Sequence, residues 1–306
     1  MNPISIITVN FEQPAVTEAL LASIFSTTAL PDIEIIVVDN GSKHNPVPEW
    51  KIKYPGVLFI RSDDNLGFAG GNNLGIAQAK GEYLFFVNND TEFTAGLVET
   101  LAKALDENEN TGIVSPKIRY FDKPDTLQYM GYTPMNYFTA RTACIGQFEI
   151  DKGQYDNLTG ETGYAHGAAM MVRKQCIEKA GLMAENFFLY YEELDWCDRI
   201  KKASYQIWLI TNALIYHKES VSVGKNSPLK EYFMNRNRVL FIRRNAPLAA
   251  RIFFYIYYVL IVTPRNILNY LRTGQSDYTK WLLKAIWWNA TEKTDSKNLG
   301  YPLKTL

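Results

Sequence analysis

The segment Phe187-Phe188-Leu189-Tyr190-Tyr191-Glu192-Glu193-Leu194-Asp195 sets three carboxylates within four positions, directly behind an aromatic run. Carboxylates beside apolar bulk are costly unless an ion, a hydrogen bond or a proton transfer needs them, so Glu193, Glu192 and Asp195 are candidate general bases. The same letters also suit an acidic helix start, with Asp195 paired to Arg199 four residues on. Asn88-Asn89-Asp90 offers a single carboxylate that could ligate a hard divalent cation, whose remaining ligands are commonly phosphate and water oxygens. His217 alone of the three histidines follows a β-like run, from Gln206 to Tyr216, and could supply a further ligand. In Asp64-Asn65-Leu66-Gly67-Phe68-Ala69-Gly70-Gly71-Asn72-Asn73, glycines ahead of a helix let backbone N–H groups approach phosphate. Neither G-x-G-x-x-G nor a closing Gly-Lys-Ser/Thr is present, which speaks against a dinucleotide-binding oxidoreductase and a P-loop. Thr8, Asn10 and Glu12 could hold a nucleoside, and Asp39 could accept from a pyrimidine imide.

These groups fall where predicted strands end. Strands are expected at Ile4 to Val9, Glu34 to Val38, Val57 to Arg61 and Tyr83 to Val87, with helices at Ala15 to Ser26 and Gly70 to Ala79. That rhythm predicts an α/β fold with a mainly parallel sheet flanked by helices, whose strand ends form the ligand edge. Residues 1–224 read as one domain, with a nucleotide-binding half (1–111) and an acceptor half (112–224) in which the helical rhythm weakens into loops. Residues 225–306 read as a helical tail with 14 Lys and Arg against 4 Asp and Glu, a balance of +10 in a chain of net charge zero. Within it, Ile252 to Val262 is almost wholly apolar and, at 11 residues, too short to cross a bilayer. Basic and aromatic residues around that run suit contact with an anionic membrane surface, or else packing on the main domain or on a second copy in a homodimer. The aromatics are not spread along a basic groove, which disfavours nucleic acid. Three scattered cysteines and an N-terminus without a signal core predict reduced thiols in the cytoplasm.

Taken in order, Thr8-Val9-Asn10, Val38-Asp39-Asn40-Gly41-Ser42, the Asn65 to Asn73 run, Asn88-Asn89-Asp90, Gly167-Ala168-Ala169-Met170-Met171-Val172-Arg173, Phe187 to Arg199 and His217 resemble the family-2 inverting glycosyltransferases of GT-A fold. The similarity runs over residues 4–245 and is strongest to rhamnosyltransferases of bacterial cell-surface polysaccharides. It implies transfer of a sugar from a nucleotide-diphosphate donor, dTDP-rhamnose or a UDP-sugar, to a hydroxyl of a glycan or lipid-linked glycan at the inner face of the cytoplasmic membrane. The resemblance assigns Thr8, Asn10, Glu12, Asp39, Asn65, Gly67, Phe68, Asn72, Asn88, Asn89 and Asp90 to the donor. It assigns Asp90 and His217 to Mg2+ or Mn2+, and Glu193 with neighbouring Glu192 and Asp195 to the base. Two departures stand out: Asn88 replaces the first acid of the D-x-D motif, and Glu193 stands where Asp is usual. The first gives footing to an alternative, a nucleotide-sugar binding homologue of weak catalytic power.

Overall fold

A computed structural model describes residues 2–28, 33–219 and 227–303. Met1, Ser220, the first two residues of the expected tail and its last three lie outside the described residues. The first half is built from β1 (Ile4–Asn10), α1 (Pro14–Thr27), β2 (Ile33–Asn40), α2 (Val47–Lys53), β3 (Val57–Ser62), α3 (Gly67–Gln78), β4 (Tyr83–Asn88), β5 (Thr91–Phe93) and α4 (Leu97–Glu107). Branched residues in β2 fill both faces of the sheet, as a strand covered on two sides requires. Pro14 opens α1 where its missing N–H has no helical partner to lose. Buried Leu97, Val98, Leu101, Ala102 and Leu105 give α4 one apolar stripe. Both α2 and α4 go beyond the elements expected from sequence.

The second half differs more from expectation. Where loops were predicted, β6 (Thr111–Tyr120), β7 (Lys123–Tyr129), β8 (Gly160–Glu161) and β9 (Ala169–Arg173) join the sheet, followed by α5 (Lys174–Ala180), while α6 (Glu192–Lys202) and β10 (Gln206–His217) fall on the acidic helix start and the β-like run expected there. The order is β3-β2-β1-β4-β9-β6-β10-β5, with β7 on β6 and β8 on β10. Pairing is parallel from β3 through β4 and between β6 and β10, but β9 runs antiparallel to β4 and β6. The sheet is therefore mixed, because β9 enters its centre in reverse.

This topology positions the site. Strand order reverses between β2-β1 and β1-β4, which opens a crevice beyond the carboxyl ends of β1 and β4. Pairing of Val87 with Ala169 delivers Gly167 and Ala168 to that end of β4, and the Asn88 N–H donates to Ala168 O at 3.0 Å. Pairing of His217 with Thr91 in β5 sets His217 beside Asp90.

The C-terminal region packs on this body. Helix α7 (Pro228–Asn245) buries Tyr232, Phe233, Arg236, Asn237 and Leu240 to Ile242. Beyond it, α8 (Leu248–Tyr257), a π-turn (Tyr258–Val262) and α9 (Thr263–Arg272) form one continuous helix, followed by α10 (Asp277–Thr291). The apolar run read as too short to span thus belongs to a 25-residue helix that meets the length and composition of a membrane span. Ala250, Phe254, Tyr258, Val262 and Tyr270 are nevertheless buried along one seam against the protein, while Ile252, Phe253, Ile256, Val259, Leu260, Ile261, Leu268 and Leu271 face outward. Part of the basic excess is also spent inside: Arg236 is fully buried and Arg244 pairs with Asp195.

Candidate active site

The acids after the aromatic run do open a helix, α6, but their environments diverge. Asp195 is fully buried and held by Arg199 Nε at 2.9 Å, Arg244 Nε at 2.9 Å and Asn245 Nδ2 at 2.8 Å. Burial alone would raise its pKa, but the two guanidiniums outweigh it and hold the carboxyl below its usual range. With both oxygens engaged, Asp195 is an anchor between α6 and α7, poorly placed to take a proton from substrate.

Glu192 and Glu193 lack such cations. Burial, reinforced by the charge of Glu193, pushes Glu192 well above the ordinary carboxylate range, and its buried Oε2 has no hydrogen-bond partner. Burial also raises Glu193, whose N-terminal position on α6 lets backbone N–H groups moderate the shift. Glu193 is partly accessible and lies against Gly167, where an added Cβ would come within 3.6 Å of its Cγ. The two adjacent carboxyls thus differ in degree, burial raising both and raising Glu192 further than Glu193.

The backbone leading into these acids is strained. Phe188, Tyr190 and Tyr191 adopt φ of 66°, 70° and 74°, a left-handed region unfavourable to bulky side chains. Two residues of α7 hold it. Asn237 Nδ2 lies 2.9, 2.7 and 2.8 Å from the carbonyl oxygens of Phe187, Leu189 and Tyr190. Arg236 donates to Asn186 O and, at 3.0 Å, to Phe187 O, while its Nε donates to Asn237 Oδ1 at 2.8 Å. Burial lowers the Arg236 pKa to about 10, so its charge persists at neutral pH. The sequence reading missed this pair, although Asn235-Arg236-Asn237-Arg238 set between the apolar runs Tyr232 to Met234 and Val239 to Ile242 was its visible signal.

Around the crevice, a cavity of about 230 Å³ is lined by Asn65, Gly67, Phe68, Asn88, Asn89 and Asp90 from the expected set, together with Val9, Phe11, Gln13, Asn40, Phe188, Leu189 and others. Phe68 N–H donates to Phe188 O at 3.0 Å, tying the glycine-rich loop to the strained loop. Gly67, at φ 71°, permits that approach, because a Cβ there would collide with Phe188 O.

Other expected donor residues lie beneath the cavity instead of lining it. Asp39 is fully buried, accepts from Asn10 Nδ2 at 2.7 Å and Ser42 Oγ at 2.6 Å, and pairs with Arg61. Asn10 also accepts from Thr17 Oγ1 at 2.9 Å, and Thr8 is fully buried with its hydroxyl unpartnered. Glu12 ties the loop after β2 by accepting from Lys43 N at 2.8 Å, and Asn72 donates to Phe68 O at 2.9 Å within α3. Asn40, one residue beyond Asp39, reaches the cavity and braces the glycine-rich loop through Asn65 and Gly67.

At the rim, His217 Nε2 lies 3.1 Å from Asp90 Oδ1, and His217 Nδ1 lies 2.8 Å from Gln128 Oε1. If Nδ1–H donates to Gln128, Nε2 presents its lone pair towards a carboxylate oxygen, an arrangement that a shared cation would satisfy. Two protein ligands with substrate and water oxygens suit a hard divalent ion. No group of three or more His, Cys, Asp or Glu forms a metal cluster among the described residues. His166 stacks on Tyr132, with centroids 6.2 Å apart, and meets the His217 ring edge-on. Burial lowers its pKa to about 3, which keeps it neutral.

Residues 5–181 match the family model described as Glycosyl transferase family 2. Among curated relatives, the low-salt glycan biosynthesis hexosyltransferase Agl10 of Haloferax volcanii is 27% identical, with 78% of this chain and 75% of the relative covered. An N-acetylglucosaminyl-diphospho-decaprenol L-rhamnosyltransferase of Mycobacterium tuberculosis is 24% identical, covering 68% of this chain and 74% of that one. Among solved structures, GalNAc-T7 crystallised with UDP, GalNAc and Mn2+ superimposes with a TM-score of 0.60 at 12% identity, covering 87% of this chain and 57% of that one. That likeness establishes the GT-A fold.

Proposed function

Because the chain belongs to glycosyl transferase family 2, and is thus a glycosyltransferase, we propose that it performs inverting transfer from a nucleotide-diphosphate sugar to a hydroxyl of a lipid-linked glycan. The observation that carries this reading is the placement of the two acids opening α6: Glu192 is buried and its carboxyl raised further, while Glu193 lies partly accessible beside Gly167.

Glu193 takes the proton of the acceptor hydroxyl as that oxygen attacks the anomeric carbon from the side opposite the nucleotide. The carbon–oxygen bond to the diphosphate breaks and the anomeric configuration inverts. Glu192 keeps its proton and so adds no second negative charge beside the base. The glycine-rich loop at Gly67-Phe68, braced by Asn40 and Asn65, closes over the nucleotide, and Asn88 and Asn89 orient it at the strand end. Asp90 and His217 would hold Mg2+ or Mn2+, which when bound supplies neutralisation of charge on the leaving diphosphate. The donor is dTDP-rhamnose or a UDP-sugar, in line with the rhamnosyl transfer named for the mycobacterial relative. That relative's name also supports an acceptor on a diphospho-lipid, and the outward apolar faces of Leu248–Arg272 support work at a membrane surface.

Glu193→Gln is the direct test. Transfer should fall by roughly 10²-fold or more, the usual scale for losing a general base, with donor affinity nearly unchanged. Unaltered turnover would show that the proton leaves by another route.

A further inference from the structure

On the far side of the Phe188 to Leu194 segment lies a second cavity, of about 310 Å³, lined by Met135, Arg141, Tyr191, Leu194, Met234 and Arg238 among others. The segment therefore serves two cavities. Phe188 and Leu189 line the nucleotide side, and Tyr191 and Leu194, which bracket Glu192 and Glu193, line the second.

Its chemistry is that of an anion with an apolar extension. No acidic side chain lines it, whereas Arg141 and Arg238 both do. Arg238 donates through Nη2 to Thr139 O at 2.5 Å and stacks over Phe254 and Tyr258, yet its buried Nε has no partner. Two guanidiniums in one cavity suit a diphosphate, whose oxygens accept several charge-assisted hydrogen bonds at once. Met135 also lines a neighbouring cavity with Phe138, Pro247, Ala249 and Ala250, and the Phe138 ring meets the outward Phe253 edge-on with centroids 5.4 Å apart, so the loop that lines the cavity reaches the apolar outer face of the long C-terminal helix. At its other end the loop that supplies Met135 and Arg141 begins near Tyr132, which stacks on His166 and feels the charge of Glu193.

We propose that this cavity seats the diphosphate of an isoprenyl-diphosphate-linked acceptor. Arg238 and Arg141 bind the diphosphate, the lipid runs along the apolar helix face, and the attached sugar extends along the Tyr132 to Thr142 loop towards Glu193. The proposal rests on the lipid-linked acceptor reading above and gives that acceptor a place.

The test uses the full chain with three probes: farnesyl diphosphate, inorganic pyrophosphate and farnesol. Farnesyl diphosphate should bind at least about tenfold more tightly than either part, and Arg238→Gln should weaken it by about tenfold, the scale of a lost charge-assisted hydrogen bond. Because Arg238 also braces Thr139, the exposed Arg141→Gln provides a variant that leaves the fold intact, with a several-fold loss expected. Farnesyl diphosphate binding no better than pyrophosphate, or unchanged in the double variant, would overturn the assignment. Donor hydrolysis is measured on the unmodified protein. Its presence without farnesyl diphosphate binding sinks the cavity alone, whereas its absence across UDP- and dTDP-sugars would count against the proposed donor instead.

Discussion

At the scale of single residues, chemistry depends on which neighbours a carboxylate meets. Asp195, fixed by two arginines, and Glu192, where burial outweighs the charge of Arg236 nearby, stand three positions apart and are driven in opposite directions. A carboxyl whose folded pKa is raised favours the fold below its unfolded pKa, and that contribution is lost as pH rises through the folded value. Glu192→Gln should therefore raise the melting temperature at pH 8 more than at pH 4. An equal shift at both pH values would mean that Glu192 is not held protonated. The proposed metal site gives a second outcome: Asp90→Asn should abolish metal-stimulated binding of a nucleoside diphosphate, and His217→Ala should weaken it less, since phosphate and water oxygens still fill the shell. Titration of Mn2+ with nucleoside diphosphate into both variants checks this, and undiminished stimulation in both would place the ion elsewhere. The sequence made the acids, Asp90 and His217 visible because charged letters in apolar surroundings announce themselves. It gave no sign that Asn40 lines the cavity, since which of two consecutive residues turns to a given side is decided by the strand's alternating faces.

At the scale of elements, the first four strands were legible to within a residue or two because their apolar runs and turns are local signals. The reversed strand β9 was not. Ala169 to Arg173 owes its place to Val87, Ile113 and Val114 across the sheet, partners remote in sequence. Helix α7 is the other element whose meaning is non-local. Read as the start of a basic tail, it supplies the Arg236-Asn237 clamp on three left-handed residues, each of which would cost about 1–3 kcal/mol to hold. Asn237→Ala should reduce kcat by about tenfold or more, as expected when catalytic groups lose their placement. Donor Kd should change little. Because the clamp acts on the approach to Glu193, the acidic limb of the pH–rate profile should also move, which simple loss of stability would not cause. A fall in Tm with kcat and profile unchanged would reduce Asn237 to a packing residue.

At the scale of the molecule, nucleotide loop, acid helix and C-terminal helices meet at one short stretch, Phe187 to Tyr191. Composition and charge foretold a basic C-terminal region, but not that Arg236 and Arg244 would be turned inward, because net charge carries no direction. The hydrogen bond from Phe68 to the Phe188 carbonyl ties the loop proposed to cover the nucleotide to the backbone under the proposed base. A loop that settles on the nucleotide thereby sets the backbone from which the base projects, so the two substrates should not enter at random. The kinetic mechanism follows as compulsory order, donor first and nucleoside diphosphate last to leave. Product inhibition reads it directly: the nucleoside diphosphate should compete with the donor and give a mixed pattern against the acceptor. Competition against both substrates would mean that the loop and the base move independently.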